Sequence, residues 1–165
     1  MHHMAESAGC PGCGGEGFSL SCAIVTCSRR HGDVEYCFLC ADYPCDRYRE
    51  ESVFDSFIVH RNVLKDFDQA RADGLAAYHS RLDEKIAILR TLMANYTDGR
   101  RKSFFCTAVN LLALADIKKV MRQVDKAVKP GNTLKENAAI VVGLFQAMAE
   151  KRDIVIKLIK KRREK

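Results

Sequence analysis

The chain has 165 residues, of which 47% are hydrophobic and 29% charged, with a formal net charge of +6. This composition excludes a disordered tail, and no apolar run approaches the roughly 18 residues that cross a bilayer. The charge excess is local: residues 151–165 hold eight basic and two acidic side chains. The first 150 residues are therefore balanced, and a nucleic-acid reading rests on the tail alone. No basic stretch followed by an apolar one opens the sequence, so a cytoplasmic location is expected.

Residues 10–45 hold seven of the eight cysteines, from Cys10 to Cys45. They read as loops and turns with room for a small hairpin. Large apolar side chains are few here, so the segment needs a staple to hold together. Residues 46–67 read as a connecting helix and a turn.

Residues 68–97 carry a single apolar stripe, Leu75, Leu82, Ile86, Leu89, Met93 and Tyr96, which predicts a helix ended by Asp98-Gly99. Residues 101–129 predict a second long helix. Its middle is apolar nearly all round, so it should be buried on more than one side. Pro130-Gly131 stops it.

Thr133-Leu134-Lys135-Glu136 matches a capping box, in which the Thr hydroxyl and the Glu carboxylate satisfy each other's backbone N–H groups. A third helix is predicted from Leu134 to about Arg162. The expected fold is mainly α: a Cys-rich metal-binding module over residues 8–48, then an antiparallel bundle of long helices with a basic C-terminal tail over residues 49–165. The apolar surface of the second and third helices exceeds what three helices hide. A homo-oligomer or another protein partner is the corresponding expectation.

The cysteine spacing is the strongest chemical signal. Cys10-x2-Cys13, Cys22-x4-Cys27 and Cys37-x2-Cys40-x4-Cys45 contain two knuckles. A Cys-x2-Cys turn points two sulfurs at one ion, and two such pairs close a site of four thiolates. One grouping joins Cys10 and Cys13 to Cys37 and Cys40, leaving Cys22, Cys27 and Cys45 with His31. The other joins Cys10, Cys13, Cys22 and Cys27, leaving Cys37, Cys40 and Cys45 with His31. The odd number of clustered thiols argues against a disulfide framework. One or two zinc ions are expected, with an iron–sulfur cluster as the alternative. A closed zinc site is structural and contributes folding energy directly.

The run Ser21-Cys22-Ala-Ile-Val-Thr-Cys27, then His31-Gly32-Asp33-Val34-Glu35-Tyr36-Cys37-Phe38-Leu39-Cys40-Ala41-Asp42-Tyr43-Pro44-Cys45-Asp46, resembles a prokaryotic Cys-rich family. That family is catalogued as domain of unknown function three-seven-nine-five and described as zinc-binding. The resemblance covers residues 10–48 and extends only loosely to the helices. One departure is Asp33, which separates the glycine from Val34. Another is an earlier Cys-rich stretch usual in the family, which this chain lacks before Cys10. A short variant or a truncated chain, with its second site incomplete, is the matching expectation. The resemblance implies metal binding and no established activity.

Three other places carry weaker signals. Arg100, Arg101 and Lys102 stand at a predicted helix start, where free N–H groups and cations could bind an anion. Cys106 lies in an apolar stretch and reads as a packed thiol; beside that basic loop it would become a redox-active one. Lys157, Lys160, Lys161, Arg162 and Arg163 could make nonspecific nucleic-acid contacts. No Ser-His-Asp, paired-carboxylate or dinucleotide motif is evident, so binding is expected ahead of catalysis.

Overall fold

A computed structural model of the chain describes residues 23–49, 55 and 59–160. The chain divides into two units, Met1–Glu50 and Glu51–Lys165. All regular structure among the described residues is helical, so the mainly α class read from the sequence holds.

In the first unit, α1 spans Ala23–Arg30, a single 3-10 turn spans Cys37–Leu39, and α2 spans Asp46–Arg49. The Ala-Ile-Val-Thr-Cys run is thus helical and not part of a hairpin. Ile24, Cys27, Ser28 and His31 line one cleft. Their spacing of three, four and seven residues is that of one helix face, which lines the cleft in spite of the strand preference of Ile-Val-Thr. Gly32, at φ 87°, reverses the chain. Asp33 N–H then donates to Ser28 C=O at 2.9 Å, closing the helix end. The Ser28 hydroxyl donates to Val34 C=O at 2.6 Å and holds the returning strand of chain.

The second unit holds α3 (Val63–Asp73), α4 (Leu75–Asn95), α5 (Lys102–Leu111), α6 (Leu114–Ala127) and α7 (Leu134–Glu150). Each of the three long helices expected from the sequence is altered. The first starts earlier and breaks at Gly74, whose φ of 82° and ψ of 156° are open to glycine alone. The apolar stripe read from the sequence begins at Leu75, just past the break, and so gives no sign of it.

The second expected helix breaks at Leu112 and Ala113, both extended with ψ near 147° and 145°. Neither residue is a helix breaker. The apolar stretch instead serves two helices in turn: Phe105, Ala108 and the capping Leu112 bury along α5, and Ile117, Val120 and Val124 bury along α6. The corner aims both stripes at one core.

The third expected helix ends at Glu150, twelve residues short of the expected Arg162. Asp153 takes a left-handed φ of 51°. Ile154 N–H donates to Ala149 C=O at 2.9 Å and Asp153 N–H to Glu150 C=O at 3.2 Å. This is a Schellman closure with aspartate in the place glycine usually takes. Ile154 and Ile156 then pack against the core, so apolar residues read as a helix stripe are used by a non-helical segment. The capping box forms as read: Glu136 N–H donates to Thr133 Oγ1 at 3.3 Å and Thr133 N–H to Glu136 Oε2 at 2.7 Å.

α4 packs on α3, α5 and α6, and α6 packs on α7. Leu92, Phe105, Leu112, Val141 and Phe145 are fully buried at the centre. The Phe105 and Phe145 rings meet edge-on, 6.2 Å between centroids. Each such side chain contributes about 1.5–3 kcal/mol of burial.

Candidate metal centre

Four cysteines among the described residues of the first unit face one cleft. Cys27 comes from α1, Cys37 and Cys40 from the two ends of the 3-10 turn, and Cys45 from the residue before α2; all four line one small cleft with His31. The turn is local chemistry. Cys40 N–H donates to Cys37 C=O at 3.0 Å, so the two-residue spacing of the knuckle becomes one tight turn. Phe38, within that turn, is buried and stacks on Tyr36 at 5.5 Å between centroids.

At the edge of this cleft His31 and Cys40 form a tighter group with the exposed Asp42, which is not part of the lining. A ring nitrogen of His31, the Cys40 sulfur and a carboxylate oxygen of Asp42 all lie within 4.8 Å of one another. His31 Nδ1 is 3.2 Å from Asp42 Oδ2. Among the described residues no other trio of metal-ligating side chains comes this close. The α1 closure at Gly32 sets His31 at the helix end, and two residues past the knuckle Asp42 meets it. Burial first, then a hydrogen bond with the Cys37 sulfur, push the Tyr48 hydroxyl well above its usual range.

The donor set fits a zinc-type ion. Thiolate, imidazole and carboxylate are the usual zinc ligands, and the nitrogen and oxygen beside Cys40 depart from an all-thiolate iron–sulfur set. Asp42 suits either of two tasks: direct ligation, or orienting His31 through Nδ1 as carboxylates orient metal-bound imidazoles.

Sequence reasoning placed His31 among the candidate ligands but missed Asp42. The available signal was its position inside Cys40-x4-Cys45, two residues past the knuckle. Cys10, Cys13 and Cys22 lie outside the described residues, and so do both expected groupings that use them.

The weaker candidates fall elsewhere. Asp98 accepts from Arg100 N–H at 3.2 Å and from Arg101 Nε at 3.2 Å, which occupies part of the basic loop ahead of α5. Lys102 is the first residue of α5. Cys106 is half-buried, and burial pushes its thiol up against the pull of Lys102. Lys157 and Lys160 stand on the non-helical segment after α7, and not on the helix expected for them. Lys161, Arg162 and Arg163 lie outside the described residues.

Residues 1–50 match the family described as Protein of unknown function (DUF3795). The resemblance read from the cysteine run is thereby borne out over that part of the chain. No curated protein and no solved structure matches the chain. No helix among the described residues is long and apolar enough to cross a membrane.

Proposed function

We propose that this chain is a zinc-binding protein whose metal is structural, and that the protein works by binding a partner and not by catalysis. The observation that carries the reading is the convergence of His31, Cys40 and Asp42 within 4.8 Å, where His31 and Cys40 also line a cleft with Cys27, Cys37 and Cys45. Bound zinc would supply cross-linking of chain segments that have few apolar contacts of their own. Cys40, His31 and one or more of the other cysteines would hold it, with Cys10, Cys13 and Cys22 available for the same ion or a second one. A site closed by protein ligands leaves no position for substrate. The stapled module then serves as a rigid platform for a protein or nucleic-acid partner.

The test is metal content per chain in Cys40→Ser, His31→Ala and Asp42→Asn variants of the full chain. Loss of at least half the zinc in Cys40→Ser and His31→Ala supports the reading. Full zinc in both sinks it. Partial retention in Asp42→Asn is expected if that carboxylate orients His31.

A further inference from the structure

The second unit carries an open cleft of about 520 Å³ along α6 and the end of α7. Five cations line it: Lys119, Arg122 and Lys126 from α6, and Lys151 and Arg152 from the α7 terminus. Its one carboxylate, Asp116, is taken by Arg152, with Nε to Oδ2 at 2.9 Å and Nη2 to Oδ1 at 2.7 Å. Arg122, Lys126 and Lys151 make no ion pair among the described residues. The cleft therefore holds a large uncompensated positive charge on a protein whose first 150 residues balance overall. Sequence totals hide this, because the other acids of α6 and α7, Asp125, Glu136 and Glu150, do not line the cleft.

We infer that this cleft binds the phosphate backbone of a double-stranded nucleic acid. The three α6 cations recur at three and four residues, so they share one face. They span seven residues, or about 10 Å at 1.5 Å per residue. A single small anion would need donors converging on one point. Cations strung over that length match about three successive charges of a duplex strand, at roughly 3.4 Å each. Among the described residues the lining contains no aromatic ring, so it lacks the stacking surface that single strands use. Met148 is its one large apolar side chain, whereas an acidic peptide would want buried apolar anchors. The contact is to backbone, and it reads no bases. The site takes Lys151 and Arg152 from the start of the basic 151–165 segment but not Lys157 or Lys160, and it does not rest on the metal reading.

The test uses the full chain, its zinc content measured in the same preparation, and a fluorescein-labelled mixed-sequence DNA duplex followed by anisotropy. The three α6 cations are exposed, so Lys119→Ala/Arg122→Ala/Lys126→Ala should keep the wild-type unfolding midpoint. It should lose at least about tenfold in affinity, and its log–log salt slope should flatten by about 2–3, near 0.9 per phosphate contact. Lys157→Ala/Lys160→Ala should lose clearly less. The proposal is overturned if wild type fails to bind at low salt, if the triple variant binds like wild type, or if the tail variant loses as much. It is also overturned if polyglutamate displaces the duplex as well as unlabelled duplex does at equal charge. A duplex-binding protein without zinc would leave this inference standing and remove the metal reading.

Discussion

Asp55 and Ile159, 104 residues apart, hold each other twice: Asp55 N–H donates to Ile159 C=O at 2.6 Å, and Ile159 N–H donates to Asp55 Oδ2 at 3.0 Å. Arg61 extends the clamp. Its Nη1 reaches Asp55 Oδ2 at 2.8 Å and Lys157 C=O at 2.9 Å, and its Nη2 reaches Val155 C=O at 2.6 Å. The Asp55 carboxylate is fully buried, so removing it takes the acceptor from the Arg61 guanidinium and from the His60 and Ile159 amides. Asp55→Ala should cost about 3 kcal/mol, as for the loss of one partner of a buried pair. Urea unfolding reads the loss, and hydrogen exchange at the Ile159 amide should accelerate. An unchanged midpoint would mean that the segment after α7 contributes nothing to stability.

The same carboxylate makes stability depend on acid. Burial opposes its ionisation, but N–H donors from Ile159 and His60 and the Arg61 charge win and hold its pKa below the usual value. The Arg152 hydrogen bonds hold Asp116 low as well. A group with a depressed folded pKa stabilises above its unfolded pKa, about 3.9 for Asp, and loses that contribution as pH falls through the folded value. Asp66 acts oppositely, because burial raises it. The clean measurement is therefore a difference. The stability gap between wild type and Asp55→Asn/Asp116→Asn should be constant from neutral pH to about pH 5 and shrink below about pH 4. A gap that stays constant into acid would contradict the assignment.

Gly74 fixes the corner between α3 and α4. A Cβ there would meet nothing within 4 Å, so the cost of Gly74→Ala is purely backbone conformation, about 1–3 kcal/mol. A thermal midpoint equal to wild type would show that the two helices can run on as one.

Thr133 tests the one feature that sequence and structure share most directly. Thr133→Ala removes the acceptor for Glu136 N–H and should cost about 1 kcal/mol. Thr133→Ser should recover most of it. Equal losses in both variants would mean that packing, and not the cap, starts α7.

These cases mark what is legible in a sequence of this kind. The capping box and the Pro130-Gly131 stop are decided within four residues, and both are read correctly. The Leu112–Ala113 corner has no breaker residue; it exists because two apolar stripes share one core, which is a tertiary fact. The end of α7 misleads for the same reason. Ile154, Val155, Leu158 and Ile159 keep helical spacing, yet Asp153 turns the chain and Arg61 and Asp55, about 100 residues earlier, collect its backbone groups. In the candidate site the knuckle cysteines are legible from their spacing. Asp42 is not, because its meeting with His31, eleven positions away, depends on how α1 closes at Gly32.

The central claim is that the Cys-rich unit holds zinc, and elemental analysis by plasma mass spectrometry on protein purified without oxygen tests it most directly. At least one zinc per chain, with negligible iron and a thermal midpoint that falls on chelation, is the predicted result. Iron with acid-labile sulfide, or a metal-free chain that unfolds at the same temperature with and without chelator, would contradict it.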